Sequence, residues 1–299
     1  MSSRPDTSPA RKNPLPIIDS AAGLLQRYDV VFSDVWGVVH DGHKAFAHAC
    51  AALQKFRDAG GTVILVSNAP VPAARVARML DLRGVTRSAW DAIVSSGAIA
   101  LDHIAERGYA RVHYIGPRDR DAAFFDAVSA RPSPLDEAEA IVCTGLEDDE
   151  NETVESYRPL LERARERDLA FVCANPDLVV DVGGRLYPCA GALADLYEHL
   201  GGEVFWAGKP HPSAYNAAHA SAERIRGASV ASSRILAIGD AIRTDLKAAE
   251  NAGIEAIFVT SGIHRGDTME HGRISPSKLA RLFPDGTPRP IAVMTELKW

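Results

Sequence analysis

Apolar positions along this chain fall into two alternating patterns. One is the short continuous run, of which Thr62-Val-Ile-Leu-Val-Ser67 is typical, and Asp29–Ser33, Asp91–Ser95, Arg234–Ile238, Ala256–Thr260 and Pro290–Met294 follow it. A run apolar on every side chain predicts a strand covered on both faces, as in a parallel sheet. The other pattern has apolar residues three or four apart and predicts helices over Ile17–Arg27, Phe46–Ala59, Val71–Leu82, Ala98–Arg107, Ser213–Ile225 and Thr244–Asn251. Gly60-Gly61 and Gly253 punctuate two of them as stop signals. This β-α-β-α order predicts an α/β fold with a doubly wound parallel sheet.

The middle third keeps the alternation but not the tone. Strands are expected at Arg111–Ile115, Ala140–Thr144 and Leu169–Ala174, with helices near Asp119–Val128 and Glu152–Arg167. Arg131-Pro-Ser-Pro134 and the acidic run Glu147–Glu150 lie between them, their charges reading as a solvated loop and helix start. With the exception of Asn175-Pro176-Asp177, no strand here ends in a reactive set, which reads as an inserted α/β domain over 109–203. A strand at Val204–Ala207 resumes the first domain, giving a core of 17–108 plus 204–299. Residues 1–16, polar and rich in proline, read as a disordered tail with no apolar targeting core.

Bulk properties narrow the classes. A chain of 299 residues suits one large or two medium domains. With a net charge of -6 it lacks the basic surface of a nucleic-acid or anionic-membrane binder. No apolar run approaches the roughly 20 residues of a membrane span. Cys50, Cys143, Cys173 and Cys189 are widely spaced without CxxC, consistent with buried free thiols in a reducing cytoplasm.

In an open parallel sheet, ligands bind beyond the carboxyl ends of the strands. Asp34 follows the first strand, Ser67-Asn68 the second, Gly208-Lys209-Pro210 a later one, and Gly239-Asp240-Ala-Ile-Arg-Thr-Asp245 the next. Singly, each has an ordinary use: Asp and Ser-Asn form caps and turns, lysines are solvated, and Asp240 and Asp245 could begin a helix where its dipole favours carboxylates. Together, a nucleophilic carboxylate, a hydroxyl, an ammonium and a carboxylate pair suit a phosphoryl group held with a divalent metal.

These elements, in this order, resemble the haloacid dehalogenase superfamily of aspartate-nucleophile hydrolases. Gly208-Lys209-Pro210-His211-Pro212-Ser213-Ala214-Tyr215 and Gly239-Asp240-x-x-x-Thr244-Asp245 are similar to its class IIA branch, as are Ala174-Asn-Pro-Asp177 and Pro188-Cys-Ala-Gly-Ala192. The resemblance implies a Rossmann-like core with a cap over 109–203, and Asp34 as nucleophile and metal ligand. Ser67 and Asn68 would hold phosphoryl oxygens, and Lys209 would neutralise phosphate. Asp240 would ligate Mg²⁺, with Asp245 in support and Trp36 lending a backbone carbonyl; Asp177 would touch substrate from the cap. The implied partner is a small phosphorylated metabolite, and a homodimer through the cap fits the class.

One position departs from the pattern. Phosphatases of the superfamily read Asp-x-Asp-Gly, where the second Asp moves protons; this chain reads Asp34-Val35-Trp36-Gly37. Indole cannot carry that proton, and such help is typically worth about 10²- to 10⁴-fold. Three readings follow. A phosphatase could use another acid/base from His40, Asp41 and His43 just downstream, of which His40 has the suitable unperturbed pKa, or a substrate with a good leaving group. A metal-independent dehalogenase would need no acid, but retention of Asp240 and Asp245 favours phosphate. A weakened phosphate- or metabolite-binding protein is the third. A His40/His43/His48 metal site has right-looking spacing only in part.

Overall fold

The computed structural model describes residues 14–182 and 185–299. Two parallel sheets organise it. The first contains β1 (Val30–Ser33), β2 (Thr62–Ser67), β3 (Ala92–Ser95), and, from the C-terminal third, strands at Ile235–Gly239, Glu255–Val259 and Ala292–Met294. The second contains β4 (Arg111–Ile115), β5 (Arg131–Pro132), β6 (Ala140–Cys143), β7 (Ala170–Cys173) and a strand at Val204–Trp206. A hairpin of β8 (Val179–Val182) and β9 (Arg185–Pro188) precedes that last strand, which is therefore β10; the C-terminal strands are β11 and β12. After a two-residue hairpin, β13 (Met269–Glu270) with β14 (Arg273–Ile274), the strand at Ala292–Met294 is β15.

Alternation along the core strands explains why both faces are apolar. Val31, Val63, Leu65, Leu236, Ile238, Ile257 and Val259 enter one hydrophobic cluster. Their neighbours Val30, Phe32, Ile64, Val66, Ile235, Ala237, Ala256 and Phe258 enter the cluster on the opposite face. Successive side chains of a strand point to opposite sides, so a sheet with helices on both faces needs apolar residues throughout. Each fully buried Val, Leu, Ile or Phe contributes about 1.5–3 kcal/mol. The covering helices include α1 (Ala22–Leu25), α2 (Ala47–Asp58), α3 (Ala73–Leu82) and α4 (Ser96–Arg107), the last of which leads out to the second sheet.

Strand order in the first sheet is β15-β12-β11-β1-β2-β3. The chain thus winds one way from β1 and the other way from β11, and the switch falls between those two strands. Ser33 registers with Ile238 and with Leu65, so the residues that follow β1, β2 and β11 emerge at the same edge. That edge is where such sheets bind ligands.

Several expectations are corrected. Val204–Trp206 does not return to the core; it pairs with β7 at one edge of the second sheet, order β10-β7-β6-β4-β5. Its pattern looks the same in either sheet, because periodicity carries no information about the pairing partner. The helix expected over Ile17–Arg27 is only the α1 turn, and Ile17 instead bridges Val293. The one near Asp119–Val128 shrinks to α5 (Ala122–Phe125). Of the expected tail, residues 1–13 lie outside the described residues, while the carbonyl of Pro16 accepts a hydrogen bond from the Val293 N–H at 2.8 Å and Leu15 packs on the core. The segment from Pro176 to Gly202 contains the β8–β9 hairpin and, after α6 (Arg158–Glu166), the helix α7 (Ala190–His199). All four cysteines are buried free thiols. Among the described residues, no helix is long and apolar enough to cross a membrane.

Candidate active site

Asp34 leaves β1 with its N–H donated to the Ile238 carbonyl at 2.8 Å, which prolongs the ladder by one residue and presents the carboxylate at the switch point. Lys209 arrives there from β10 through Ala207 and Gly208. Its Nζ donates to Asp34 Oδ1 and Asp245 Oδ1, both at 2.6 Å. The residue is 2% exposed. Burial alone would discharge this lysine, but the carboxylates of Asp245 and Asp34 outweigh it and hold the ammonium well above the usual lysine range.

Asp245 sits in a wide π turn over Ile242–Leu246, just ahead of α9 (Lys247–Ala252), which follows α8 (Pro212–Arg226) in the run of helices. Its Oδ2 accepts the backbone N–H groups of Asp240 and Ala241, both at 3.1 Å. With Oδ1 taken by Lys209, both oxygens of Asp245 are engaged. Burial and the Asp34 charge push its carboxyl up to about 6 against the pull of Lys209. Asp240 Oδ2 accepts the Ile263 N–H at 2.7 Å, leaving Oδ1 without a hydrogen bond among the described residues. Burial, then the charges of Asp34 and Asp245, raise the Asp240 carboxyl well above its ordinary value.

Oxygens of Asp34, Asp240 and Asp245 lie within 4.8 Å of one another. Negative charge packed this densely in a low-dielectric pocket exceeds what one ammonium neutralises, and all the donors are hard oxygens. That set fits a hard divalent cation such as Mg²⁺. Among the described residues, Asp34 Oδ2 and Asp240 Oδ1 accept no hydrogen bond, which leaves them to hold it.

Ser67, half-buried at the end of β2, accepts the Ala69 N–H on its Oγ at 3.2 Å and keeps its own O–H to donate. Asn68 is buried, and its amide is spent on protein: Nδ2 donates to Asp177 Oδ1 and to the Lys209 carbonyl, and Oδ1 accepts the Lys209 N–H, each at 2.9 Å. Asp177 comes from the loop after β7 and is thereby brought to the same edge. Burial raises its carboxyl, opposed by the Asn68 hydrogen bond.

Trp36 is 41% exposed and meets the His40 ring edge-on at 5.4 Å between centroids. His40 does not fit the part of a replacement acid. It is 3% exposed, its Nδ1 accepts the Gly42 N–H at 2.8 Å, and burial with the nearby Arg83 charge pulls its pKa down to about 4. A neutral, tethered imidazole has no proton to give near neutrality. Asp41 Oδ1 is likewise occupied by the His43 and Lys44 N–H groups. The histidines 40, 43 and 48 do not assemble as a metal cluster; among the described residues the only such group is the aspartate trio.

Sequence reasoning missed two contributors, the Ile263 N–H and the Ser96 hydroxyl, which reaches Asn68 Oδ1 at 3.3 Å. Both follow core strands, β12 and β3, as Ser-Gly or Ser-Ser-Gly steps; strand-end position was the available signal.

The stretches that match known families contain Asp34, Ser67, Asn68, Lys209, Asp240 and Asp245. Residues 31–128 match the family model for haloacid dehalogenase-like hydrolases, and 206–285 match a HAD-hydrolase-like model. A solved hydrolase of the haloacid dehalogenase-like family from Brucella suis 1330 is 44% identical, with a TM-score of 0.80 over 94% of this chain and 100% of that one. Ribonucleotide monophosphatase NagD of Escherichia coli (strain K12) is 33% identical over 108 residues, 36% of this chain and 40% of the relative. Dihydroxyacetone phosphatase of Corynebacterium glutamicum (strain R) is 33% identical over 98 residues, 31% of this chain and 32% of that protein. The match therefore spans well under half of either curated relative. Across nearly its whole length, however, the Brucella structure shares both the fold and more than two residues in five, and on that ground the chain belongs to the haloacid dehalogenase-like hydrolase family.

Proposed function

We propose that this chain is a divalent-metal-dependent phosphatase of small phosphorylated metabolites, working through an aspartyl-phosphate on Asp34. One observation carries the reading: a buried lysine joins Asp34 to Asp245 while Asp240 stands against the same pocket. A halide-releasing hydrolase has no use for that excess of buried carboxylate, and a passive binder has no use for a nucleophile. The two partial relatives named above as phosphatases support the same chemistry.

In this reading Asp34 attacks phosphorus in line through the carboxylate oxygen not held by the metal as the bond to the leaving oxygen breaks, and water then hydrolyses the acyl phosphate. Lys209 holds one oxygen of Asp34 by a hydrogen bond and neutralises charge on the phosphoryl oxygens. The Ser67 O–H and the Asn68 backbone N–H orient those oxygens, which is most of what phosphoryl transfer demands. Mg²⁺, held by Asp34, Asp240 and the Trp36 carbonyl, would supply further charge neutralisation when bound. Asp245, with both oxygens committed, holds Lys209 and the backbone of 240–241 in place. Without an acid at Trp36, substrates whose leaving oxygen is already a weak base are favoured.

The test is a panel of aryl and alkyl phosphates plus a haloacid, with Mg²⁺ and with chelator. Phosphate release that needs metal and vanishes in Asp34→Asn is expected. Halide release without metal, or full activity in Asp34→Asn, overturns the reading.

A further inference from the structure

The Asn68 amide uses its whole hydrogen-bonding capacity on three other segments of the chain. Besides the bonds to both sides of the Lys209 peptide and to Asp177, Oδ1 receives the Ser96 hydroxyl at 3.3 Å. Two donors and two acceptor sites are all that a primary amide has. The segments concerned are the way out to the second sheet (Ser96, opening α4), the way back from it (Gly208-Lys209), and the loop that follows its strand β7 (Asp177).

The packing is as close as the bonding. A Cβ on Gly208, which has φ +141°, would lie 2.1 Å from Ser96 Oγ, 2.7 Å from Asn68 Oδ1 and 2.9 Å from Pro176 Cγ. A Cβ on Gly191 would lie 2.4 Å from the Pro176 carbonyl oxygen and 2.6 Å from that of Asp177, so the start of α7 backs the Asp177 loop. The loop is wedged between the second sheet's own helix and the lysine-bearing linker. Its position bears directly on the peptide from which the Lys209 side chain springs.

We propose that Asp177 and Asn68 are positioning residues that couple the second sheet's placement to the aim of Lys209: Asp177 orients the Asn68 amide, the amide clamps the Lys209 peptide, and the ammonium is thereby held on Asp34. This rests on the phosphatase reading for its catalytic consequence, though not for the coupling itself. When Asp177 withdraws, Asn68 Nδ2 loses an acceptor, the amide is free to turn, and the Lys209 backbone loosens. The pocket then aligns its cation only when the second sheet is seated.

The experiment uses the full chain and 4-nitrophenyl phosphate at saturating Mg²⁺, together with amide hydrogen exchange at Gly208–Lys209. Asp177→Ala is expected to lower kcat about ten- to a hundred-fold, the cost of a misaimed group, with KM within about threefold of the parent in the same comparison, and to speed exchange at the Lys209 amide. Asp177→Asn, whose amide oxygen can accept the same bond, is expected to recover most of the lost kcat and the protection. If Asp177→Ala does not fold, Asp177→Ser, too short to reach Asn68, carries the same expectation. Equal damage from Asn and Ala would make the carboxylate's charge or proton the active feature, and a rise in KM alone would make Asp177 a substrate ligand; either overturns the proposal. Unchanged exchange at Lys209 also overturns it, even if the parent proves to have no phosphatase activity, a result that would sink the functional reading separately.

Discussion

Lys209 Nζ stands 2.6 Å from Asp34 Oδ1 although the two residues are 175 positions apart in the chain. The contact forms because β1 and β11 lie side by side at the point where the winding of the sheet reverses, and because the linker from the second sheet ends there. Removing the ammonium leaves Asp34 and Asp245 without the counter-charge that both now share. Lys209→Met is expected to cost about 3–5 kcal/mol of stability, the usual penalty for stranding buried charge, and to reduce phosphate release to background. Urea unfolding at neutral pH checks the first outcome; unchanged stability would mean that water or a cation already screens the pair.

Asp240 is walled in by backbone. A Cβ on Gly262 would fall 1.6 Å from Asp240 Oδ2, so Gly262→Ala must turn the carboxylate away and break its bond to the Ile263 N–H. The Mg²⁺ concentration for half-maximal activity is expected to rise about 10- to 100-fold, as for lost support of a metal-binding group. Gly23→Ala, where nothing lies within 4 Å, serves as the neutral comparison. A metal titration that is the same for both would show that Asp240 is not a ligand.

Trp36 tests the missing proton. Trp36→Asp is expected to raise turnover of alkyl phosphates over aryl phosphates by about tenfold or more, since general acid help matters most for a poor leaving group. Because the indole is 41% exposed, its loss should cost only about 1 kcal/mol. If both substrate classes respond alike, proton transfer is handled elsewhere or does not limit the rate.

His40 gives the fold a pH dependence of definite sign. Unfolded, its imidazole takes up a proton near pH 6.5; folded, burial and Arg83 delay this to about pH 4. Between those values the unfolded state binds the extra proton, so the stabilisation by His40 is complete above pH 6.5 and lost as pH falls towards 4, by up to about 3 kcal/mol. The raised carboxyls of Asp240 and Asp245 act in the opposite sense, favouring the folded state in acid. The difference between parent and His40→Asn, which retains an acceptor for the Gly42 N–H, isolates the histidine. Chemical denaturation at pH 7.5, 6 and 5 should show the two proteins diverging as pH falls; parallel curves would mean that His40 titrates normally.

Much of this protein is legible in its sequence because the relevant signals are local. Continuous apolar runs mark Thr62–Ser67 and its relatives as doubly covered strands, and the breaks after them expose Asp34, Ser67, Lys209 and Asp240 as strand-end residues. The substitution at Trp36 is equally plain. None of this needs a partner strand to be known, since a strand's two-sided burial is written into its own side chains.

What only the tertiary structure decided involves residues far apart in sequence. Val204–Trp206 has the pattern of a core strand yet pairs with β7, because hydrophobic alternation says which faces are covered and not by what. Asn68 looks like an everyday turn residue, and its amide is a junction only because Ser96, Asp177 and Lys209 converge on it from 28, 109 and 141 positions away. Asp240 and Asp245 look alike in the motif; among the described residues the hydrogen bonds of the folded chain commit both oxygens of Asp245 and leave one of Asp240 open. Local propensity acts within a turn or a strand, whereas the charge and bonding state of a buried side chain depends on every segment packed around it, and those are set when the sheets assemble.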